Sequence, residues 1–149
     1  MTANAWQVFD IFLEQVGAEA HNLNATDSIK MALITSSWTP NTATDVTFAT
    51  IDANEISNAG YTAGGSECAA TWAAATGTLT FDLANVTWTA SEAAITARYA
   101  VLYNTASGET NDLIAYSLLD NSPADVSASD GNDFIVNFHA SGAFTIAQS

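Results

Sequence analysis

The chain has 149 residues, enough for one domain with its own hydrophobic core, and a single cysteine, Cys68, so no intramolecular disulfide can staple it. It is 48% hydrophobic and only 12% charged, which excludes a disordered polymer, and its polar surface is built from Thr, Ser and Asn, not the Glu and Lys of a free-standing helical bundle. Against 16 acids stand only Lys30 and Arg98, a formal net charge of -14, so no basic patch can form: nucleic acid is excluded as a partner and an anionic membrane surface is disfavoured.

Residues 4–16 place Trp6, Phe9, Phe12, Leu13 and Val16 at helical spacing, with Gln7, Asp10 and Glu14 opposite and Gly17 as a stop. This predicts a short N-terminal helix whose aromatic stripe either closes one end of a β core or docks on a neighbouring subunit. The same segment has no positive n-region and carries Asp10 and Glu14 inside its apolar stretch, so it is not expected to act as a signal peptide. No apolar run reaches the roughly 18 residues that a bilayer span needs.

After the polar connection "HNLNATDS" the hydrophobic period changes to 2. Ile29, Met31 and Leu33 alternate with Lys30 and Ala32; Leu79, Phe81 and Leu83 with Thr80 and Asp82; Val86 and Trp88 flank Thr87; Phe134, Val136 and Phe138 alternate with Ile135, Asn137 and His139; and residues 144–146 form a last run. The clusters "SWTPNTATD", "NTASGETND" and "DNSPADVSASDGND" read as turns. One domain over 1–149 is expected, a helix over 4–16 and a β-sandwich over 28–149. The class is all-β, an antiparallel sandwich or a jelly-roll-like barrel with one short N-terminal helix.

Arg98 is the only arginine and falls inside "ITARYAVLYN", where Ile95, Ala97, Tyr99, Val101 and Tyr103 are expected on one face and Thr96, Arg98, Ala100 and Leu102 on the other. The next strand, "DLIAYSLLD", follows a loop with Gly108, so the two read as a hairpin apolar on both faces, central and covered on both sides. A guanidinium there needs a partner. A bidentate carboxylate is expected, which makes Arg98 a structural salt bridge; the alternative is a pairing across a subunit boundary.

Motifs for chemistry are absent as contiguous patterns. "YTAGGSECAA" has neither P-loop lysine nor dinucleotide spacing, and its glycines read as a structural turn made by Gly60, Tyr61, Gly64 and Gly65. There is no G-x-S-x-G elbow, Cys68 reads as a buried inert thiol, and "SASDGNDF" is a polar turn that does not fit a calcium loop. No catalytic residue, metal site or cofactor is predicted.

Several of these motifs, in this order, resemble a group of small structural proteins of tailed bacteriophages: "HNL", "SIKMALITSSWTPN", "GYTAGG", an aromatic strand, "RYAVLYN", "LIAY" and "FIVNFHASGAFTI". The resemblance covers most of the chain. It implies a non-enzymatic virion component, made in the host bacterial cytoplasm and placed on the outer capsid surface: a capsid decoration or cement protein that binds the major capsid protein as a homotrimer. Trp6, Phe9, Phe12, Leu13, Val16 and the Trp38 loop are then the candidate capsid or subunit contacts. The alternative is a tail, tail-fibre or adhesin-type component that binds a host receptor.

Overall fold

The computed structural model describes residues 4–18, 21–23, 28–57, 60–106, 110–122 and 124–147. Twelve short strands and one α-helix are found among them. In chain order they are β1 (Gln7–Val8), α1 (Asp10–Gly17), β2 (Ile29–Ile34), β3 (Ser66–Cys68), β4 (Ala70–Ala75), β5 (Thr78–Leu83), β6 (Val86–Thr89), β7 (Ile95–Ala97), β8 (Tyr99–Asn104), β9 (Leu113–Leu118), β10 (Val126–Ala128), β11 (Asp133–Val136) and β12 (Phe144–Ala147). All pairings are antiparallel. One sheet has the order β1-β9-β8-β2-β3; three shorter ladders are β12-β5-β4, β11-β6 and β10-β7. The architecture is the expected all-β, sandwich-like one.

The main core lies between the five-stranded sheet and the shorter ladders. Ile29, Met31, Leu33, Ala100, Leu102 and Ile114 come from the sheet, and Phe81, Leu83, Val86, Trp88, Ile95, Phe134 and Val136 face them from the ladders. The alternation read from the sequence predicts these partners because one face of each ladder strand must leave water.

A second core covers the other face of the sheet. Phe9, Trp38, Phe48 and Ile51 pack there on Ala32, Ile34, Val101, Tyr103 and Leu113. The long connection between β2 and β3, with two 3-10 turns at Phe48–Thr50 and Asp52–Asn54, supplies most of this lid. Strands β2 and β8 therefore bury apolar side chains on both faces.

The helix begins later than its periodicity suggests. Residues 7–9 are extended: β1 pairs Gln7 with Tyr116 and Val8 with Ala115, and the Phe9 amide donates to the Ile114 carbonyl at 3.0 Å. Sheet pairing satisfies these amides better than a short helix with no side-chain cap could.

The strand through Arg98 is also broken. Ile95 and Ala97 enter the main core, but so do Ala100 and Leu102, while Val101 and Tyr103 belong to the second core with Tyr99 packed against it. The side-chain parity thus flips at Arg98, and the single face expected for Ile95 through Tyr103 does not exist. The backbone stays satisfied at the flip: the Arg98 amide donates to Ile34 and its carbonyl accepts from Leu119. Here the chain leaves the β7–β10 ladder and enters the five-stranded sheet.

The hairpin of β8 and β9 forms as expected, with an irregularity between Leu102 and Tyr103; Gly108, expected to shape its loop, lies outside the described residues. Strands β3, β4 and β10 fall where the sequence had suggested turns or gave no alternation.

Candidate functional site

The six residues expected to form a contact surface do not share one. Phe9 and Phe12 are fully buried, in different cores, and Trp38 is 6% exposed. The Trp38 indole donates to Asp45 Oδ2 at 3.1 Å, an oxygen that also accepts from the Asn41 amide, so the "SSWTPN" loop is pinned over the second core. Trp6 is half-buried and stacked on Phe138 at 5.1 Å, and Val16 packs on the main core. Leu13 alone is exposed. A continuous aromatic stripe needs a helix from residue 4, and β1 removes it.

Arg98 Nε donates to Asp125 Oδ1 at 2.7 Å. Register explains the pairing. Val126 stands opposite Ala97, so the next position on each strand brings Asp125 beside Arg98. The hydrogen bond runs through Nε to one oxygen, not as the expected bidentate fork, and both side chains keep water contact, at 23% and 39% exposure. Nearby Asp120 has its carboxyl held below the usual range, chiefly by the Ser122 amide and hydroxyl and less by the Arg98 charge.

The "GYTAGG" turn carries one polar cluster that the sequence did not reveal. Tyr61 donates to Glu55 Oε1 at 2.6 Å and accepts from the Leu33 amide at 3.0 Å, and the Gly64 amide donates to the same Glu55 oxygen at 2.8 Å. Tyr103 donates to the Gly64 carbonyl at 2.5 Å. Gly65, at φ +69°, lies so close to β2 that a Cβ would sit 1.8 Å from the Met31 carbonyl oxygen. The turn is thus locked to β2 and β8.

Beside this cluster opens a cleft of about 700 Å³, lined by Asp52, Glu55, Ser57, Tyr61 and Glu92. Burial, and then the hydrogen bond to Glu55, push the Tyr61 phenol far above its ordinary range, with the Leu33 amide opposing. Burial raises Tyr103 to about 12 and Cys68 likewise to about 12. General acid or base work needs a group that titrates near the working pH. These phenols and this thiol stay protonated there, and their geometry serves packing.

A different surface stands out. In the β12-β5-β4 ladder, Trp72, Phe81 and Phe144 stand abreast, and two residues farther out so do Ala74, Leu79 and Ile146. A two-residue step returns to the same sheet face. The first row packs in or against the main core, with Phe81 fully buried; the second overhangs it, Ile146 is 50% exposed, and a shallow hollow opens among Ala74, Gly77, Leu79 and Ile146. The hairpin tip is tight: Ala75 faces Thr78 across Thr76 and Gly77, both at positive φ, which gives the two-residue turn that matches strand twist.

The signal was present in the sequence as a gap in the charge. No Asp, Glu, Lys or Arg stands between Glu67 and Asp82, nor after Asp133. Those two uncharged stretches supply β4, β5 as far as Phe81, and β12, which the fold brings side by side. In comparisons with known proteins, no family model, curated protein or solved structure matches this chain.

Proposed function

We propose that this chain is a non-enzymatic structural protein of a tailed-bacteriophage virion, a capsid decoration or cement protein that binds the major capsid protein on the outside of the assembled head as a trimer. The observation that carries the reading is an exposed, uncharged sheet end on a β-sandwich whose formal net charge is -14. The ordered motifs that resemble small phage structural proteins support it. So does the use of Arg98, Tyr61 and Cys68 in holding the fold together.

A protein of this kind works by mass action. It binds the assembled, expanded shell and not its alternatives, so occupancy stabilises that state. Each subunit offers a small apolar contact, and an oligomer engages several at once, which raises avidity without any new chemistry. Phe9, Phe12 and Trp38 cannot supply the contact, since they fill the cores.

The test is the copy number of this protein relative to the most abundant protein of purified particles, by quantitative mass spectrometry. Near-parity with the shell protein is expected. A small fraction would move the protein to the tail, as a fibre or adhesin-type component, and absence from particles would overturn the virion reading.

A further inference from the structure

We infer that a second copy of this chain docks on the overhanging face of β4, β5 and β12, with Ala74, Leu79 and Ile146 at its centre. The inference deepens the oligomeric part of the reading above and rests on it. Three observations lead to this face. Its apolar row continues the row that closes the main core, so the sheet is built to bury more than one chain provides. Among the described residues the ladder ends on β4 at one side and β12 at the other, two edges whose amides and carbonyls can pair with another strand.

The third observation is the charge, and it chooses the occupant. Two copies carry the same formal charge of -14, and most contacts between them would press carboxylates together, as at the cleft of Asp52, Glu55 and Glu92. Residues 69–81 and 140–147 bring no carboxylate to the contact. Like copies meet there without that cost, and the small side chain of Ala74 lets them approach closely.

The test is sedimentation velocity with light scattering on the full chain, over a concentration and salt series, for the wild type, Ile146→Lys and Ala74→Glu. The wild type is expected to sediment as an oligomer that strengthens with added salt, because salt screens the repulsion and leaves an apolar contact intact. Both variants are expected to sediment as single chains with unchanged circular dichroism and melting; Ile146→Ser replaces either one that misfolds. A wild type that stays a single chain throughout overturns the inference, as does an oligomer that none of the substitutions disturbs. If the single chain binds purified shells and Ile146→Lys does not, the face meets the shell instead and the inference is wrong. Near-parity in particles together with a single chain in solution would sink this contact and leave the decoration reading standing, whereas low copy number with a dissociable oligomer would do the reverse.

Discussion

The Tyr61 hydroxyl donates to Glu55 Oε1 at 2.6 Å and, in the same geometry, accepts from the Leu33 amide, so one phenol joins the glycine turn to strand β2. Removing that oxygen leaves a buried amide without its partner, which costs on the order of 1–3 kcal/mol. Tyr61→Phe is therefore expected to lower the unfolding free energy by that amount, seen as a lower urea midpoint with an unchanged slope. A midpoint equal to wild type would show that the turn is held by packing alone.

The Arg98–Asp125 pair is partly exposed, at 23% and 39%. Pairs of that exposure contribute about 0–1 kcal/mol, because water screens the charges and ordering two side chains costs entropy. Arg98→Gln should thus be mild. A loss beyond about 2 kcal/mol, the kind seen when a buried pair is broken, would mean that the guanidinium is more deeply embedded than this pairing implies.

Two glycines with similar backbone angles should respond very differently. At Gly131, φ is +78° and a Cβ meets open space, so Gly131→Ala is expected to cost only the left-handed strain of about 1–2 kcal/mol. Gly65→Ala adds a clash with backbone of the central strand β2, and neither partner can move aside. No soluble folded protein is expected from that variant, and expression with a native circular dichroism spectrum would contradict the assignment.

Phe12 and Leu13 are neighbours on the helix with opposite fates. Phe12 is 1% exposed and lies 5.5 Å from Phe144, whereas Leu13 is 59% exposed. Phe12→Ala should cost about 3–5 kcal/mol through lost transfer energy and a cavity. Leu13→Ala should stay within about 0.5 kcal/mol. Equal losses in thermal melts would mean that the helix is docked differently.

Alkaline stability should betray Cys68. Its thiol is raised from the ordinary 9.0 to about 12 by burial, and Tyr103 from 10.0 to about 12. The unfolded chain releases these protons first, so the contribution is complete below pH 9 and is lost as pH climbs toward 12. In Cys68→Ala the decline should begin only near pH 10, where the tyrosines start to titrate. Urea midpoints measured across that window check it, and identical slopes in the two proteins between pH 9 and 10 would contradict it.

Much of the fold was legible because alternation reports which face of a strand leaves water. Phe81 and Leu83, Val86 and Trp88, and Phe134 and Val136 could be placed in the core from spacing alone. Cys68 was readable as buried from its small neighbours. Residues 4–9 were not, since Trp6, Phe9 and Phe12 satisfy a helical period while their amides find better partners on β9. Strands β3, β4 and β10 are short or alanine-rich, with too little hydrophobic contrast to show a period.

The sequence by itself determined the class of the molecule: an acidic, disulfide-free β chain without a contiguous catalytic motif, because composition and local period are properties of neighbours along the chain. Tertiary structure alone decided where the parity of the Arg98 strand flips, which carboxylate Arg98 meets, that Tyr61 donates to Glu55, and that two distant uncharged stretches form one exposed sheet end. Each of those depends on register between segments far apart in sequence. Pairing across such distances is set by the whole balance of burial and backbone hydrogen bonding, which no local pattern carries.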